Sequence, residues 1–433
     1  MDYLFQDITA ITMMEGEDPV RSVSVGVENG KICYVGERIS EPRADRVIDG
    51  KGKVLLPAFI NCHSHAPMTL LRGYAGDKPL QEWLFDWILP AERRFSEDAP
   101  RAGAMLAMAE MIASGTASFT DMYFGIDKIA RAVESTGMKA NLSNAVVASD
   151  ESYDFYSDRS YAETAAIIKE YHGAAGGRIK AEAGIHGEYT SFGGAWEQAV
   201  DFALKNSLNM HVHLSETKFE HEDCKKRHSL TPTQILDRHH VFDAPTSAAH
   251  CVWVEECDMG ILREKRVSVI HCPVSNLKLA SGIAPVVKMM EKGINVALGT
   301  DGMASNNSLD LFEEMKLAGL LQKNLCRDAS AMPALKALKM ATSNGAAAQG
   351  RQNECGRIEV GLDADIAVLN FHTPRQTPAI SPLSNIVYSC SGRDVFMTMC
   401  QGRILFEGGE FLTMDIEKVL ADANRESKAI VGY

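Results

Sequence analysis

The stretch VLLPAFINCHSHAPM, residues 54–68, decides the fold, because an apolar run leads directly into a His-Ser-His motif. The apolar part, residues 54–60, predicts a buried strand, and His63 and His65 follow its end. Side chains two residues apart on a strand project to the same face, so both imidazoles can bind one metal ion. The motif alone is a weak indication, since histidines at this spacing also occur as hydrogen-bonded core residues.

The same order recurs between about residue 54 and residue 302: a short apolar run, a polar turn and a longer stretch with helical spacing. It predicts βαβ units, with crossover helices such as 99–114 and 161–171. Eight strands of this kind predict an α/β protein with a closed parallel (β/α)₈ barrel, the TIM barrel. The predicted strands are 54–60, 116–121, 139–147, 179–186, 208–215, 246–253, 267–275 and 295–301.

The two ends of the chain have a different pattern, with short apolar runs separated by glycines. Examples are SVSVGVENGKICYVG near the start, and DADIAVLNF and VFMTMCQGRILFEGG near the finish. Each end alone is too small for a good core. We therefore expect residues 1–53 and 356–433 to form one small β-sandwich beside a barrel of residues 54–355, with a closing helix over residues 412–433.

The later strands also end in residues that can bind a metal ion or move a proton. They are His186 on the fourth strand, His213 and Glu216 on the fifth, His250 on the sixth, His271 on the seventh and Asp301 on the eighth. Barrel enzymes build their sites from the carboxyl ends of several strands. Six such groups at corresponding strand ends are poorly explained by coincidence.

These residue types suit one divalent metal ion. Neutral nitrogens from His63, His65 and His213 and an anionic oxygen from Asp301 can bind it and leave a position open for water, whose pKa falls. Glu216 is then placed to protonate a ring nitrogen and pass the proton to a leaving group, and His250 can orient the hydroxide. Zinc is the default for such ligands, and the ligand types leave iron and manganese open.

Composition excludes several classes of protein. Lys and Arg number 44 against 57 Asp and Glu, a net charge of −13, and no run of five basic residues occurs, which disfavours nucleic-acid and anionic-membrane partners. The ten cysteines form no C-x-x-C pair, and the first twenty residues carry acids where a signal peptide is basic. We expect an unprocessed cytoplasmic protein. Homo-oligomers are common among soluble enzymes, and this is the one argument for an oligomer here.

At this point the chain resembles the amidohydrolase superfamily, and within it the 5-methylthioadenosine/S-adenosylhomocysteine deaminase group of the atrazine chlorohydrolase-like branch. The likeness spans nearly the whole chain. It is carried by LLPAFINCHSHAPMTLLRGYAGDKPLQEWL, HVHLSET, AAHCVWV, VIHCPVSNLKLASGIAPV, ALGTDGMASNNSLDLFEEM and GRIEVGLDADIAVL. The resemblance implies a distorted barrel with a split β-sandwich and hydrolytic deamination at C6 of an adenine ring.

The resemblance also assigns roles residue by residue. His63, His65, His213 and Asp301 match the metal ligands, Glu216 the proton shuttle and His250 the hydroxide-orienting histidine. A bridging lysine of the binuclear branches is replaced at the end of the fourth strand by His186, so the resemblance implies a single metal ion.

For the substrate, the resemblance implies that His186 helps to bind it and that Glu92 holds the ribose hydroxyls. A carboxylate can accept from two vicinal hydroxyls, although a surface glutamate is an equally good interpretation of Glu92. Trp83 and Trp87 can stack on the base, but a tryptophan near a helix end is more often a core residue.

The chain departs from the group at two places. Asn144 stands where the group tends to have an arginine suited to the carboxylate of S-adenosylhomocysteine, and Arg159 is the alternative cation for an anionic tail. Glu188, near His186, is expected to add negative charge at the mouth of the site. Both departures favour a neutral nucleoside such as adenosine or 5-methylthioadenosine.

Two other functions stay open. The same hydroxide can displace an amine or a halide from another heteroaromatic ring of the guanine, pterin or triazine type. A non-catalytic scaffold of the same fold is the least favoured, because such a chain should lack at least one of five residues that are all present: His63, His65, His213, Asp301 and Glu216.

Overall fold

The computed structural model describes residues 1–14, 16, 18–148 and 153–432 of the chain, and its strands form two sheets. In chain order the strands are β1 (Tyr3–Ile11), β2 (Val20–Glu28), β3 (Lys31–Gly36), β4 (Arg46–Asp49), β5 (Lys53–Pro57), β6 (Phe59–Ser64), β7 (Thr116–Met122), β8 (Lys139–Ser143), β9 (Ala145–Val146), β10 (Ile179–Ile185), β11 (Asn209–Leu214), β12 (Thr246–His250), β13 (Ser268–His271), β14 (Val296–Leu298), β15 (Ile366–Asn370), β16 (Val395–Cys400), β17 (Arg403–Glu407) and β18 (Glu410–Phe411).

The central sheet is a nearly closed parallel barrel. Its order is β14-β13-β12-β11-β10-β8-β7-β6, with the short strand β9 paired to β10. The last strand returns to the first, because the backbone N–H groups of Thr300 and Asp301 donate to the carbonyl of His63 at 3.1 and 3.0 Å. The predicted barrel is therefore confirmed, and the carboxyl ends of its strands meet on one face.

The first predicted strand, 54–60, is wrong in its bounds, because the chain changes sheets within it. Strand β5 pairs antiparallel with β15 and parallel with β1, and strand β6 starts the barrel at Phe59. The change occurs at Ala58, whose N–H donates to Asp365 at 3.0 Å. Both strands are almost wholly buried, so the apolar run gave no sign of the change.

The second sheet contains strands from both ends of the chain, in the order β18-β17-β16-β15-β5-β1-β2-β3, with β4 paired to β1. This confirms that the two terminal segments form one β unit beside the barrel. The division of the chain at residues 53 and 356 stays a proposal, with Lys53–Pro57 bonded to the terminal sheet.

Helices cover the barrel between its strands. The α-helices are α1 (Leu80–Glu82), α2 (Leu89–Glu92), α3 (Ala99–Ala113), α4 (Ile126–Thr136), α5 (Arg159–Glu170), α6 (Ala174–Gly177), α7 (Gly193–Lys205), α8 (Lys218–His228), α9 (Pro232–Arg238), α10 (Glu256–Glu264), α11 (Pro273–Lys278), α12 (Val286–Glu291), α13 (Leu311–Cys326), α14 (Ala334–Met340), α15 (Ser343–Ala348), α16 (Pro382–Tyr388) and α17 (Ile416–Val431). A π-helix, Trp83–Ile88, joins α1 to α2, and the 3₁₀ helices are Ala66–Leu71, Phe155–Ser157, Glu188–Thr190, Val241–Asp243, Pro374–Gln376 and Gly392–Asp394.

The predicted helices 99–114, 161–171 and 412–433 correspond to α3, α5 and α17. The closing helix α17 packs on the barrel, where the Ser427 hydroxyl donates to the carbonyl of Leu70 at 2.7 Å and the Ser96 hydroxyl donates to Glu426 at 2.6 Å. The carboxyl end of the chain thus covers helix α3.

A buried lysine joins the barrel to the terminal sheet. The ammonium of Lys139, on β8, is fully buried and lies 2.8 Å from Asp363 and 2.5 Å from Asp365, just before β15. Although burial works to raise the pKa of Asp363, the charge of Lys139 and its hydrogen bond hold it at about 2. Asp363 and Asp365 thus have a structural role, since together they hold the buried ammonium of Lys139.

All ten cysteines are free thiols. Among the helices within the described ranges, none combines the length and the apolar character that crossing a bilayer requires.

Candidate active site

Histidines and one aspartate meet at the carboxyl end of the barrel. His63 ends β6 with His65 just beyond it, His213 lies on β11, and Asp301 follows β14. The Nε2 atom of His65 is 3.3 Å from His213 Nε2 and 3.3 Å from Asp301 Oδ1, and His63 Nε2 is 3.5 Å from the same oxygen. The candidate ligand atoms of His63, His65 and His213 all lie within 4.8 Å of one another. These side chains form a His/Asp cluster of the size that a metal ion requires.

The other nitrogen of each candidate histidine faces an acceptor. Nδ1 of His65 lies 2.6 Å from the carbonyl of Met122, and Nδ1 of His213 lies 2.5 Å from the carbonyl of His186. Because a carbonyl only accepts, each Nδ1 carries the proton and donates it. Nε2 is therefore the nitrogen that each ring turns toward the common centre, as in metal-ligating histidines.

The charges in the cluster also fit a divalent metal ion. Nε2 of His63 is buried and has no hydrogen-bond partner in the part of the chain that the structure describes. Burial lowers the pKa of His63 to about 4 and that of His213 well below its ordinary value, so both rings are neutral at pH 7. Neutral imidazole is the form that binds metal.

Asp301 is held as a carboxylate. The hydroxyls of Ser275 and Ser305 donate to Oδ2 at 2.6 and 2.9 Å, and the N–H of Gly302 donates to Oδ1 at 2.7 Å. Burial works to raise the pKa of Asp301, but the hydrogen bond with His63 and the interactions with His65 and His250 outweigh it and lower the pKa well below its usual range. The backbone of Asp301 has φ of 65°, a strained conformation that often marks functional residues.

Glu216 and His250 lie together beside the cluster. Nε2 of His250 is 3.8 Å from Oε2 of Glu216, and the hydroxyl of Ser281 donates to Oε1 of Glu216 at 3.2 Å. Nδ1 of His250 donates to the side-chain oxygen of Asn276 at 2.8 Å, which fixes the ring. Burial raises the pKa of Glu216, against the charge of His250, so its proton affinity exceeds that of an exposed glutamate.

Glu220 holds the backbone around Glu216, a role that the pattern of strand-end residues does not predict. Its carboxylate accepts from the N–H groups of Ser215 at 2.9 Å and Glu216 at 2.7 Å. Burial raises the pKa of Glu220 to about 8, and the charge of Glu216 adds to this effect. Thr217-x-x-Glu220 is a capping-box pattern and predicts a helix start, but it does not reveal that this carboxylate binds the turn before the helix.

A cavity of about 200 Å³ opens above the cluster. Its lining combines the cluster with apolar and aromatic side chains: His65, Met68, Leu80, Trp83, Leu84, Leu89, Glu92, Met122, Tyr123, Phe124, Asn144, Ala145, Val147, His186, Tyr189, His213, Glu216, His250, Leu279 and Asp301. At one side the hydroxyl of Tyr123 donates to Oε1 of Glu92 at 2.5 Å, and burial raises the pKa of Glu92. An apolar pocket with a few convergent polar groups is typical of a small-molecule site.

A family model described as the Amidohydrolase family matches residues 54–405. The chain belongs to the amidohydrolase family.

Curated relatives match this amidohydrolase over nearly its whole length. A 5'-deoxyadenosine deaminase of Methanothermobacter thermautotrophicus is 43% identical over 413 residues, which cover 95% of this chain and 96% of the relative. A 5-methylthioadenosine/S-adenosylhomocysteine deaminase of Thermoanaerobacter pseudethanolicus is 40% identical over 431 residues, covering both chains completely.

Solved structures are similar in fold. An adenosine deaminase from Xanthomonas campestris with bound zinc has a TM-score of 0.93 at 30% identity, covering 99% of this amidohydrolase and 98% of that chain. An atrazine chlorohydrolase of Arthrobacter aurescens, complexed with zinc, has a TM-score of 0.90 at 22% identity, covering 98% and 100%, and supports the fold alone.

The predicted substrate-binding residues of the amidohydrolase divide into two groups. Glu92, His186, Asn144 and Trp83 line the cavity together with Glu216. Arg159 lies outside it, with 68% of its side chain exposed and its guanidinium over the ring of Phe124. Asn144 is near Arg159 in space, because both side chains bind Glu163.

Two further residues do not have the expected placement. Trp87 does not line the cavity but lies at the surface against Tyr74 and Lys78. His271 is fully buried at the end of β13 and is not among the cavity-lining residues.

The expectation for Glu188 is wrong. Its side chain is buried and accepts two hydrogen bonds from the guanidinium of Arg227, at 2.8 and 2.7 Å. Glu188 therefore adds no free charge at the mouth of the cavity, because its carboxylate is paired and lines no part of it. No sequence pattern indicates this pair, because its two residues lie 39 positions apart.

Proposed function

We propose that this amidohydrolase is a metal-dependent deaminase of adenine nucleosides. Water adds at C6 of the adenine ring, ammonia leaves, and the product is the inosine analogue. The observation that carries the proposal is the pairing of Glu216 with His250 beside the His/Asp cluster, in a cavity that Glu92 also lines. The relatives named for deamination of 5'-deoxyadenosine and 5-methylthioadenosine support the same substrate class.

His63, His65, His213 and Asp301 would hold one divalent metal ion, and zinc is our choice because the Xanthomonas campestris neighbour has bound zinc. Such an ion, when bound, lowers the pKa of a water molecule and supplies a nucleophile at neutral pH. The serine hydroxyls on Asp301 and the carbonyls that accept from His65 and His213 keep these three side chains in position for it.

Glu216 moves the protons of the reaction. As the oxygen of water bonds to C6, one proton of that water passes to a carboxylate oxygen of Glu216, which delivers it to ring nitrogen N1. A second proton reaches the exocyclic amine, the C6–N bond breaks, and ammonia leaves with the bonding pair while the C6 oxygen becomes a carbonyl. His250 is held by its hydrogen bond to Asn276. It directs Nε2 at the attacking water and so orients the lone pair of the water oxygen.

Glu92 and Trp83 bind the rest of the nucleoside. One oxygen of Glu92 is held by Tyr123, and the carboxylate accepts hydrogen bonds from the 2′- and 3′-hydroxyls of the ribose. The Trp83 and His186 side chains line the cavity where the base lies between Glu92 and Glu216.

The test is release of ammonia and loss of adenine absorbance, with metal-analysed protein and 5′-deoxyadenosine, 5-methylthioadenosine and adenosine as substrates. Turnover of at least one of them, lost on chelation and restored by zinc, is expected. Turnover of guanine or of a chlorinated triazine, without turnover of any adenine nucleoside, would overturn the proposal.

Location and partners stay predictions from composition. We predict that the protein is cytoplasmic and that it has no nucleic-acid or membrane partner. We also predict a homo-oligomer, from base rates alone.

A further inference from the structure

We infer that Glu163 determines which C5′ substituents this site accepts, and that it selects neutral groups against carboxylates. The inference rests on the proposed function, since it concerns the tail of the same nucleoside.

A second, outer cavity adjoins the inner one. Both are lined by Leu89, Glu92, Phe124 and Val147, and Glu163 lines only the outer one. Because Glu92 is placed to hold the ribose hydroxyls, the C5′ substituent of a bound nucleoside lies at this junction. A methyl or methylthio group there contacts apolar side chains, and a longer tail continues into the outer cavity.

Glu163 is held in place at the boundary between the cavities. Its Oε2 accepts from the side-chain amide of Asn144 at 2.9 Å and from the N–H of Gly125 at 2.8 Å. Its Oε1 accepts from Nε of Arg159 at 2.5 Å, and only 16% of its side chain is exposed. The carboxylate of Glu163 thus accepts the hydrogen bond of the Asn144 amide, which lines the inner cavity, and it also neutralises the guanidinium of Arg159.

The other charges of the outer cavity do not replace the engaged arginine. Lys128 lies 3.0 Å from Glu97 in a second ion pair, and Asp127 adds another acid. Arg93 also lines this cavity and forms no side-chain ion pair with any residue in the described ranges. Arg93 is therefore the competing candidate for an anionic tail, and the experiment has to separate it from Arg159.

The carboxylate of an amino-acid tail, as in S-adenosylhomocysteine, would enter a region where Glu163 already holds the donors. The tail finds Asn144 and Arg159 already engaged by Glu163, so its carboxylate would lose hydration without gaining either of these donors. A neutral or cationic tail has no carboxylate that needs these donors. The inference therefore applies to the carboxylate of the tail and not to its length.

The wild-type enzyme gives the first test. We expect kcat/KM for the 3-aminopropyl thioether of adenosine, which has the tail of S-adenosylhomocysteine without its carboxylate, to exceed that for S-adenosylhomocysteine at least tenfold. Equal values, or a preference for S-adenosylhomocysteine, would overturn the inference without any variant.

The second test is Glu163→Gln, which keeps an acceptor for Asn144 and Gly125 and releases Arg159. We expect the ratio of kcat/KM for S-adenosylhomocysteine to kcat/KM for 5-methylthioadenosine to rise at least tenfold. The gain should disappear in the double variant Glu163→Gln with Arg159→Ala and persist when Arg93→Ala is added instead. A gain that depends on Arg93 would overturn the inference.

Glu97→Gln is the matched control, because Glu97 is a paired carboxylate of the same cavity that does not contact Asn144. An equal gain in this variant would mean that the summed charge, and not Glu163, sets the selectivity. If the wild type deaminates none of these nucleosides, the proposed function fails by itself. Calorimetric Kd values for 5-methylthioadenosine and S-adenosylhomocysteine then give the same comparison, and an unchanged Kd ratio in Glu163→Gln would contradict the inference.

Discussion

Nδ1 of His63 lies 2.8 Å from Nε2 of His211, and Nδ1 of His211 lies 2.5 Å from the hydroxyl of Ser247. Only one proton arrangement leaves Nε2 of His63 free for a metal ion. His63 donates from Nδ1 to His211, and His211 donates from its own Nδ1 to Ser247. The Ser247 hydroxyl can in turn donate to the carbonyl of Met210, 3.5 Å away. This hydrogen-bonded chain fixes the orientation and the tautomer of the most buried candidate ligand.

Replacing His211 with Phe is expected to weaken zinc binding about 10- to 100-fold, since the Nδ1–H of His63 loses its acceptor. Competition with a chromophoric chelator measures this affinity directly. His271→Phe is the matched control, because His271 is equally buried in the barrel and neither of its ring nitrogens has a hydrogen-bond partner among the residues described. Equal zinc affinities in His211→Phe and the wild type would show that the chain does not position His63.

Glu216→Gln is expected to retain the metal and to lose about 100- to 10,000-fold in kcat, because an amide cannot carry the proton between water and N1. Metal analysis and steady-state rates with 5-methylthioadenosine measure the two effects separately. A near-normal kcat would remove Glu216 from its proposed role.

Glu92→Gln is expected to raise KM for adenosine tenfold or more, because hydrogen bonds to a charged acceptor contribute about 1.5–3 kcal/mol. The substrate control is 2′,3′-dideoxyadenosine, whose KM should barely change because it has no ribose hydroxyls for Glu92 to hold. If both substrates lost the same affinity, Glu92 would act on the shape of the pocket and not on the ribose.

Lys139→Met is expected to lower the free energy of unfolding by about 3–5 kcal/mol, since buried Asp365 loses its counter-charge and Asp363 keeps only the exposed Lys31. Urea unfolding of the metal-free protein at pH 7 measures it. Lys180→Met is the control, because the Lys180–Glu354 pair is partly exposed and should contribute about 1 kcal/mol or less.

The same cluster predicts acid sensitivity. The pKa of Asp363 is about 2 in the folded protein, and about 3.9 in the unfolded chain. The stabilisation that the ionised Asp363 provides is therefore complete above about pH 3.9 and is lost as the pH falls toward 2. The stability difference between the wild type and Lys139→Met should narrow over this range. A difference independent of pH would mean that the ion pair contributes nothing.

The sequence was informative where barrel geometry makes distant residues converge. His63, His213 and Asp301 are far apart in the chain, but each ends a parallel strand, and such ends share one face. His211 shows the limit of this argument: it has the same spacing from His213 as His63 has from His65, and strand alternation gives both pairs the same face. Only the depth along the barrel axis distinguishes a candidate metal ligand such as His63 from a residue that positions it, such as His211.

Glu163 and Glu220 could not be found from strand ends at all. Glu163 lies on helix α5, 19 residues from Asn144, and their contact depends on the path of the intervening chain. Glu220 lies inside the first turn of α8 and bonds backwards to the preceding turn. A strand pattern cannot encode such contacts, because they follow from how loops and helices return to the barrel face.

The change of sheets at Ala58 limits how this site can be moved between proteins. Strand β5 is anchored to β15 near the carboxyl end of the chain, and five residues after Ala58 the same polypeptide supplies His63. A barrel excised at Phe59 would begin with the strand that carries His63 and leads into His65, and it would lose the link through β5 to the terminal sheet. Any graft of this metal centre onto another barrel must therefore include Lys53–Pro57 together with Ile366–Asn370.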